Sequence, residues 1–220
     1  MKSSGLAAAF VPEELGGFSL RYMHDWALTI ATLPRAMDKL RLRSACIFRP
    51  RADWRPFMVP AKAAPHRTFG LKLLEAVAKG EMLICSTTTE RGTDNLHPLC
   101  EARWSEEGWR LSGTKHFVTI SPLATHVPTN VRMRDADGDH IANVLFPMNT
   151  EGVCPQGDWD ALGMRASGSQ SVQLDDCLVP HDGLRKIGPW RRWSTPVLVN
   201  RTLANVPLVG AFLGIAETAF

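Results

Sequence analysis

The stretch with the clearest chemical potential is EMLICSTTTERGTD, Glu81–Asp94. An apolar run, Met82-Leu83-Ile84, leads into hydroxyl residues at Ser86–Thr89 and then into Arg91-Gly92. A β-rich segment that ends in hydroxyls and glycine offers O–H and backbone N–H groups to a flat, polar ligand. Many ordinary strands also carry Thr on their wet face, so the stretch alone assigns no ligand. Other reactive residues are dispersed. Five cysteines, Cys46, Cys85, Cys100, Cys154 and Cys177, are odd in number and form no CxxC or Cys/His cluster. They indicate neither a disulfide framework nor a zinc site, so no metal and a reduced, cytoplasmic setting are expected.

The elements that must hold this stretch are legible from periodicity. A helix is expected over Ser3–Phe10, and a second from Ser19 to about Leu33, with Met23, Trp26, Ala27, Ile30 and Leu33 on one face and Pro34 as its stop. His24 reads as a surface histidine of that helix. Arg35–Arg67 breaks the pattern: it is basic, Pro-rich and aperiodic, which fits a solvated insertion. Helical spacing returns at Leu71, Leu74 and Ala78, with Gly80 placed to end the helix. From there to about Pro180 the texture is β, with Trp109 and Leu111 opposite Arg110 and Ser112, a run at Lys115–Ile120, and the turn Asp135–Asp139 between Val131–Arg134 and Ile141–Phe146. Ser169–Val179 adds a strand with Val172 and Leu174 opposite Gln173 and Asp175. Short strands with close turns indicate a small antiparallel sandwich or barrel. After Pro207, Leu208, Ala211, Phe212, Ile215 and Ala219 line a helix that is apolar nearly all round, hence one to be buried.

Length and composition bound the rest. The chain has 220 residues, a net charge of +3 and 45% apolar residues, ordinary for one large domain or two small ones. The charge gives no reason to invoke nucleic acid, and no run is long and charge-free enough for a confident membrane span. The apolar part of MKSSGLAAAF is too short for a secretory signal.

Several segments, taken in order, resemble the acyl-CoA dehydrogenase flavoprotein family. Phe10–Gly17, FVPEELGG, is similar to its VPEEYGG. LLEAVAKGEMLICSTTTERGTD is similar to its run of "A.GE" followed by "TE.G.GSD". Leu111–Ile120, LSGTKHFVTI, is similar to "L.G.K.WITN", and Leu145–Val153 to the "TPGV" segment. Leu162–Pro180 resembles "LGMR.S…F.D..VP", and GAFLGIAETAF resembles the opening of the C-terminal helices. The resemblance covers about Gly5–Leu33 and Thr68–Phe220. It implies an α+β chain: an N-terminal helical domain (1–80, divergent at 35–67), a middle β domain (81–182) and the start of a C-terminal helical bundle (183–220).

The same resemblance implies FAD. Thr87, Thr88 and Thr89 would meet the flavin from one segment, with Gly92 and Thr93 letting the loop approach. Phe117, Val118 and Thr119 would meet it from a second, Phe117 in place of the family's Trp and Thr119 near flavin N5. Thr93 would also lie near bound acyl-CoA. Arg165 reads equally as a structural ion pair, and Lys115 as a solvated or structural lysine. The family's catalytic Glu, which takes the α-proton of the thioester, would lie beyond Phe220, and Glu217 comes too early, so no catalytic residue is assigned. Partners implied are an acyl-CoA, an electron-transfer partner or O2, and further copies of the chain in a complete homo-oligomer. A flavin monooxygenase on the same fold and an inactive interaction module are the alternatives. TERGTD is shorter than the family loop, and Ile120-Ser121 stands where Asn-Gly is usual.

Overall fold

The structure is a computed structural model that describes residues 13–16, 72–73, 75–85, 87–94, 96–163 and 165–192. The helices expected at Ser3–Phe10, Ser19–Leu33 and after Pro207, and the basic stretch Arg35–Arg67, lie outside these residues. The chain divides into two compact units, and among the described residues every strand belongs to the unit Ile84–Thr202.

Seven strands form one sheet: β1 (Glu101–Ser105), β2 (Gly108–Val118), β3 (His126–Asp135), β4 (Gly138–Pro147), β5 (Val153–Pro155), β6 (Gln170–Val179) and β7 (Leu184–Pro189). Their order is β5-β6-β2-β1-β3-β4-β7. The expectation of a small antiparallel sandwich or barrel holds in part: the middle domain is consistent with a β-sandwich, but its sheet is neither wholly antiparallel nor closed. β1 runs parallel to β3, so the sheet is mixed, and β5 and β7 stand at its two edges without pairing to each other. The reason is connectivity. Pro122–Thr125 carries the chain from β2 past β1, and β3 then enters alongside β1 in the same direction.

Local chemistry explains the pairing. β3 and β4 form the expected hairpin, with Asp135 opposite Gly138 and the intervening Asp137 N–H held by the Asp135 carboxylate at 2.9 Å. β3 alternates strictly, burying Val127, Thr129, Val131 and Met133. Leu111, Val118, Ile141, Val144, Val172, Leu174 and Cys177 from β2, β4 and β6 are also at most 2% exposed. Ile187 and Trp190 pack on Leu96 and Ile141, which fastens β7 over its neighbour.

Residues 72–73 and 75–78 are helical, as the spacing predicts. Gly80 ends this helix at φ 70°. Its N–H donates to Val77 O at 3.0 Å, and the Glu81 N–H to Ala76 O at 2.9 Å, the paired bonds of a left-handed C-cap. The segment that follows is not a ladder strand. Between 82 and 91 it touches the sheet through isolated bridges, Ile84 parallel to His126 and Thr89 antiparallel to His116. Among the described residues no helix is long and apolar enough to cross a membrane.

Candidate functional site

The bridge at Thr89 sets the geometry of the site. The His116 N–H donates to Thr89 O at 2.8 Å, so the hydroxyl segment lies beside β2 three residues before Thr119. In a regular strand, residues three apart point to opposite faces. Here they do not. Lys115 pairs with Val172 and Val118 with Gln170, so β2 spends three steps where β6 spends two. The extra residue is accommodated at Phe117, whose φ is 53°. As a result His116 and Thr119 both meet serines at the start of β6 and in the segment that leads into it. His116 Nδ1 shares a 2.8 Å hydrogen bond with Ser171 Oγ, and Ser169 Oγ donates to Thr119 Oγ1 at 3.0 Å. Ser167 and Ser169 hydroxyls meet at 2.6 Å. The Ile120 N–H closes the row on Ser167 O at 2.8 Å, with Ile120 itself at φ 63°.

Positive φ at a β-branched or bulky residue is uncommon and costs on the order of 1–2 kcal/mol. Two such residues flank Thr119, and such strain persists where surrounding structure fixes it and clusters at functional sites. Phe117 compounds it. Its ring is 60% exposed, so it is no core aromatic, and it meets Trp159 edge-on at 6.2 Å. The Trp159 indole N–H donates to Arg165 O at 3.1 Å. Asp158 accepts the Ser171 N–H at 2.6 Å. Hydrogen bonding from the Ser171 hydroxyl, then from its N–H, holds the Asp158 carboxyl below its usual range.

The other expected residues fall as follows. Thr88 and Thr89 are exposed. Thr87 is buried, and its hydroxyl has no hydrogen-bond partner in the structure. Gly92 turns at φ 75° with open space where a Cβ would stand. Thr93 is half-buried and donates to His97 O at 2.5 Å. The Val118 side chain is fully buried, which leaves only its backbone for a ligand. Arg165 is exposed, 3.8 Å from Asp160. Lys115 is not solvated: it is 1% exposed and paired with Glu90. Beside the row lies a cleft of about 200 Å³ lined by residues that include Arg91, Leu99, Thr114 and His116.

Sequence reasoning missed His116, Trp159 and the serines. A partial signal for the serines was present: Ser169 and Ser171 are two apart at the entry to β6, whereas Ser167 lies in a 3-10 turn before Gly168 at φ 51°, outside any strand alternation. Nothing local marks His116, because its role depends on the bulge after it.

The family model for the acyl-CoA dehydrogenase middle domain matches residues 84–177. Over 218 residues the chain is 32% identical to L-evernosamine nitrososynthase of Micromonospora sp., covering 98% of this chain and 50% of that protein. It is 24% identical over 235 residues to human mitochondrial short-chain specific acyl-CoA dehydrogenase, covering 100% of this chain and 52% of that one. The crystal structure of KijD3 in complex with FMN and dTDP-3-amino-2,3,6-trideoxy-4-keto-3-methyl-D-glucose superposes with a TM-score of 0.85 at 29% identity, over 99% of this chain and 53% of that one. The chain thus spans about half the length of the curated relatives it matches. Residues 84–177 thus match an acyl-CoA dehydrogenase middle domain, and the chain's similarity to these relatives over its whole length supports an acyl-CoA dehydrogenase-like flavoprotein.

Proposed function

We propose that this chain carries the flavin-facing wall of a flavin-dependent oxidoreductase. The observation that carries the proposal is the exposed Phe117 ring, held at positive φ beside the Thr119 hydroxyl row. A flavin is flat and apolar across its rings and hydrogen-bonding along its edge. The residues present fit such a group. Phe117 offers a face for stacking, Thr88 and Thr89 offer exposed hydroxyls, and Thr119 and the backbone of Val118 lie beside the ring position. The unpartnered Thr87 hydroxyl favours a polar ligand or water nearby, since an orphaned buried polar group costs about 1–3 kcal/mol. Gly92 and Thr93 line the approach. FMN and FAD share the ring system, and the contacts named here do not distinguish them.

Bound flavin would supply a two-electron acceptor or, once reduced, a partner for O2. The chain's own residues would bind and orient it. We favour oxygenation of the amino group of a nucleotide-linked amino sugar, because two relatives above 30% identity are nitrososynthases and the KijD3 structure holds an amino sugar nucleotide. The second reading is α,β-dehydrogenation of an acyl-CoA thioester with hydride passing to flavin N5 and Thr93 near the substrate, supported by the match to short-chain acyl-CoA dehydrogenase. In either case the base that removes a substrate proton is not assigned in this chain.

The test has two stages. The purified chain is mixed with excess FMN or FAD, desalted, and its visible spectrum recorded. Retention of the flavin bands is expected, and a colourless, folded product would refute the flavin wall. The flavin-loaded protein is then offered reduced flavin, O2 and an amino sugar nucleotide, or an acyl-CoA with a dye acceptor. Product masses separate an oxygenated amine from a 2,3-enoyl thioester.

A further inference from the structure

Two residues of the sequence motifs, Glu90 of TERGTD and Lys115 of LSGTKHFVTI, have no task in the flavin wall, and they meet in the interior. Their side chains are 4% and 1% exposed. Lys115 Nζ donates to Glu90 Oε1 and, at 2.7 Å, to Asn130 O. Glu90 Oε2 accepts the N–H groups of Leu99 at 2.5 Å and Cys100 at 3.0 Å. One ion pair therefore ties the hydroxyl segment to β2, to β3 and to the approach to β1.

Stability alone does not explain such a pair. Buried ion pairs lose so much hydration that well-packed apolar residues often hold a fold equally well. What an apolar pair lacks is direction. Among the described residues, the backbone of the hydroxyl segment pairs with the sheet through isolated bridges at Ile84 and Thr89 and not along a ladder, so few backbone bonds fix its register. The Thr89–His116 bridge and the Glu90–Lys115 pair sit on adjacent residues of the same two segments. A slip by one residue would pull Glu90 from Lys115 and strand two buried charges.

We propose that Glu90 and Lys115 are positioning residues that lock the Thr88–Thr89 segment in register on β2, and so set the distance between the hydroxyls on the two sides of the site. The consequence for flavin rests on the proposed function; the register itself does not. The test compares wild type with the double variant Glu90→Leu/Lys115→Met. Three quantities are read: thermal midpoint, hydrogen exchange of the His116 amide, and the Kd for FMN and FAD by fluorescence titration. The midpoint is expected to fall by several degrees, because the apolar pair leaves the Leu99 and Cys100 N–H groups and Asn130 O without partners. His116 protection should fall at least tenfold, and the flavin Kd should rise at least tenfold. A folded double variant with wild-type protection and wild-type Kd would overturn the proposal. Should the double variant not fold, Glu90→Gln decides by the same two readouts, since it keeps the side chain's shape and removes its charge; unchanged values there overturn it too. If wild type itself binds neither flavin, the flavin wall fails, and His116 exchange alone judges the register.

Discussion

Phe117 offers a prediction whose sign runs against ordinary expectation. In a regular strand, glycine is worse than alanine by about 0.5–1 kcal/mol, because it loses more backbone freedom on folding. At φ 53° the balance changes. Any residue with a Cβ carries about 1–2 kcal/mol of left-handed strain, which Phe117→Ala retains and Phe117→Gly removes. After glycine's entropy is set against this, Phe117→Gly is expected to be more stable than Phe117→Ala by about 0.5–1 kcal/mol. Both variants lose the edge contact with Trp159, worth about 0.5–1.5 kcal/mol. Phe117→Ala should therefore fall below wild type by roughly 1 kcal/mol, and Phe117→Gly should lie near it. Flavin affinity should move independently. The ring is 60% exposed, so covering it with a ligand would remove on the order of 100 Å² from water, about 2 kcal/mol, or roughly a 30-fold change in Kd. Urea denaturation and flavin fluorescence titration of the three proteins measure both quantities. If Phe117→Gly is the less stable variant, the strain argument is wrong. If both variants bind flavin as wild type does, the ring is not part of the wall.

The remaining predictions concern the scaffold. Gly113 sits at φ 141°, and a Cβ there would stand 2.4 Å from Cys100 Sγ and 2.8 Å from its Cα. Gly113→Ala should destabilise by about 2–4 kcal/mol in urea denaturation, whereas Gly138→Ala, with open space around it, should cost about 1–2. Burial raises the Cys85 and Cys100 thiols to about 12 and raises Cys177 as well, while Cys154 is exposed. Among the described cysteines, a thiol reagent read by peptide mass mapping should label Cys154 alone until the protein unfolds. Acid should weaken the fold in two stages. Burial lowers the His126 pKa, so the unfolded chain takes up that proton first and stability begins to fall as pH drops through about 6.5. The Lys186 hydrogen bond to Asp135 and those of Arg134 and Arg132 to Asp139 depress these carboxyls, so their contributions hold above about pH 4 and are lost below it. Thermal midpoints from pH 8 to 3 at fixed ionic strength test this, and a flat profile would contradict both stages.

The parts of the fold legible in sequence are those in which side-chain alternation and turn chemistry agree. The hairpin at Asp135–Gly138, the alternation of Val172–Asp175 and the glycine stop at Gly80 each follow from residues within one turn or strand. The parallel contact of β1 with β3 does not, because alternation is the same whichever way a neighbour runs. Lys115 shows a deeper limit. In LSGTKHFVTI it stands between Thr114, which is exposed, and His116, and composition suggests a solvated head; only Glu90, twenty-five residues earlier, makes its burial tolerable.

The site divides along the same line. The hydroxyl-rich types at Thr87–Thr89 and Thr119 can be read directly, since chemistry belongs to residue identity. Which of them share a face cannot, because parity along β2 is reset by the bulge at Phe117. With strict alternation, His116 and Thr119 would face apart and the serine row of β6 could join only one of them. With one extra residue they join a single row. The strained backbone at Phe117 and Ile120 is thus what converts two ordinary strand sequences into one polar wall. That conversion is a property of the backbone, so substituting a hydroxyl should weaken one contact, whereas relaxing the bulge should disperse several at once. Deleting Phe117 tests how far the bulge itself matters. With the extra residue gone, His116 and Thr119 stand two apart and share one face of a regular strand, so the hydroxyl row should persist while the turn that presents the ring is lost; flavin retention should fall further than in Thr119→Val. A deletion variant that folds and still holds flavin as tightly as Thr119→Val would show that the wall does not depend on the bulge.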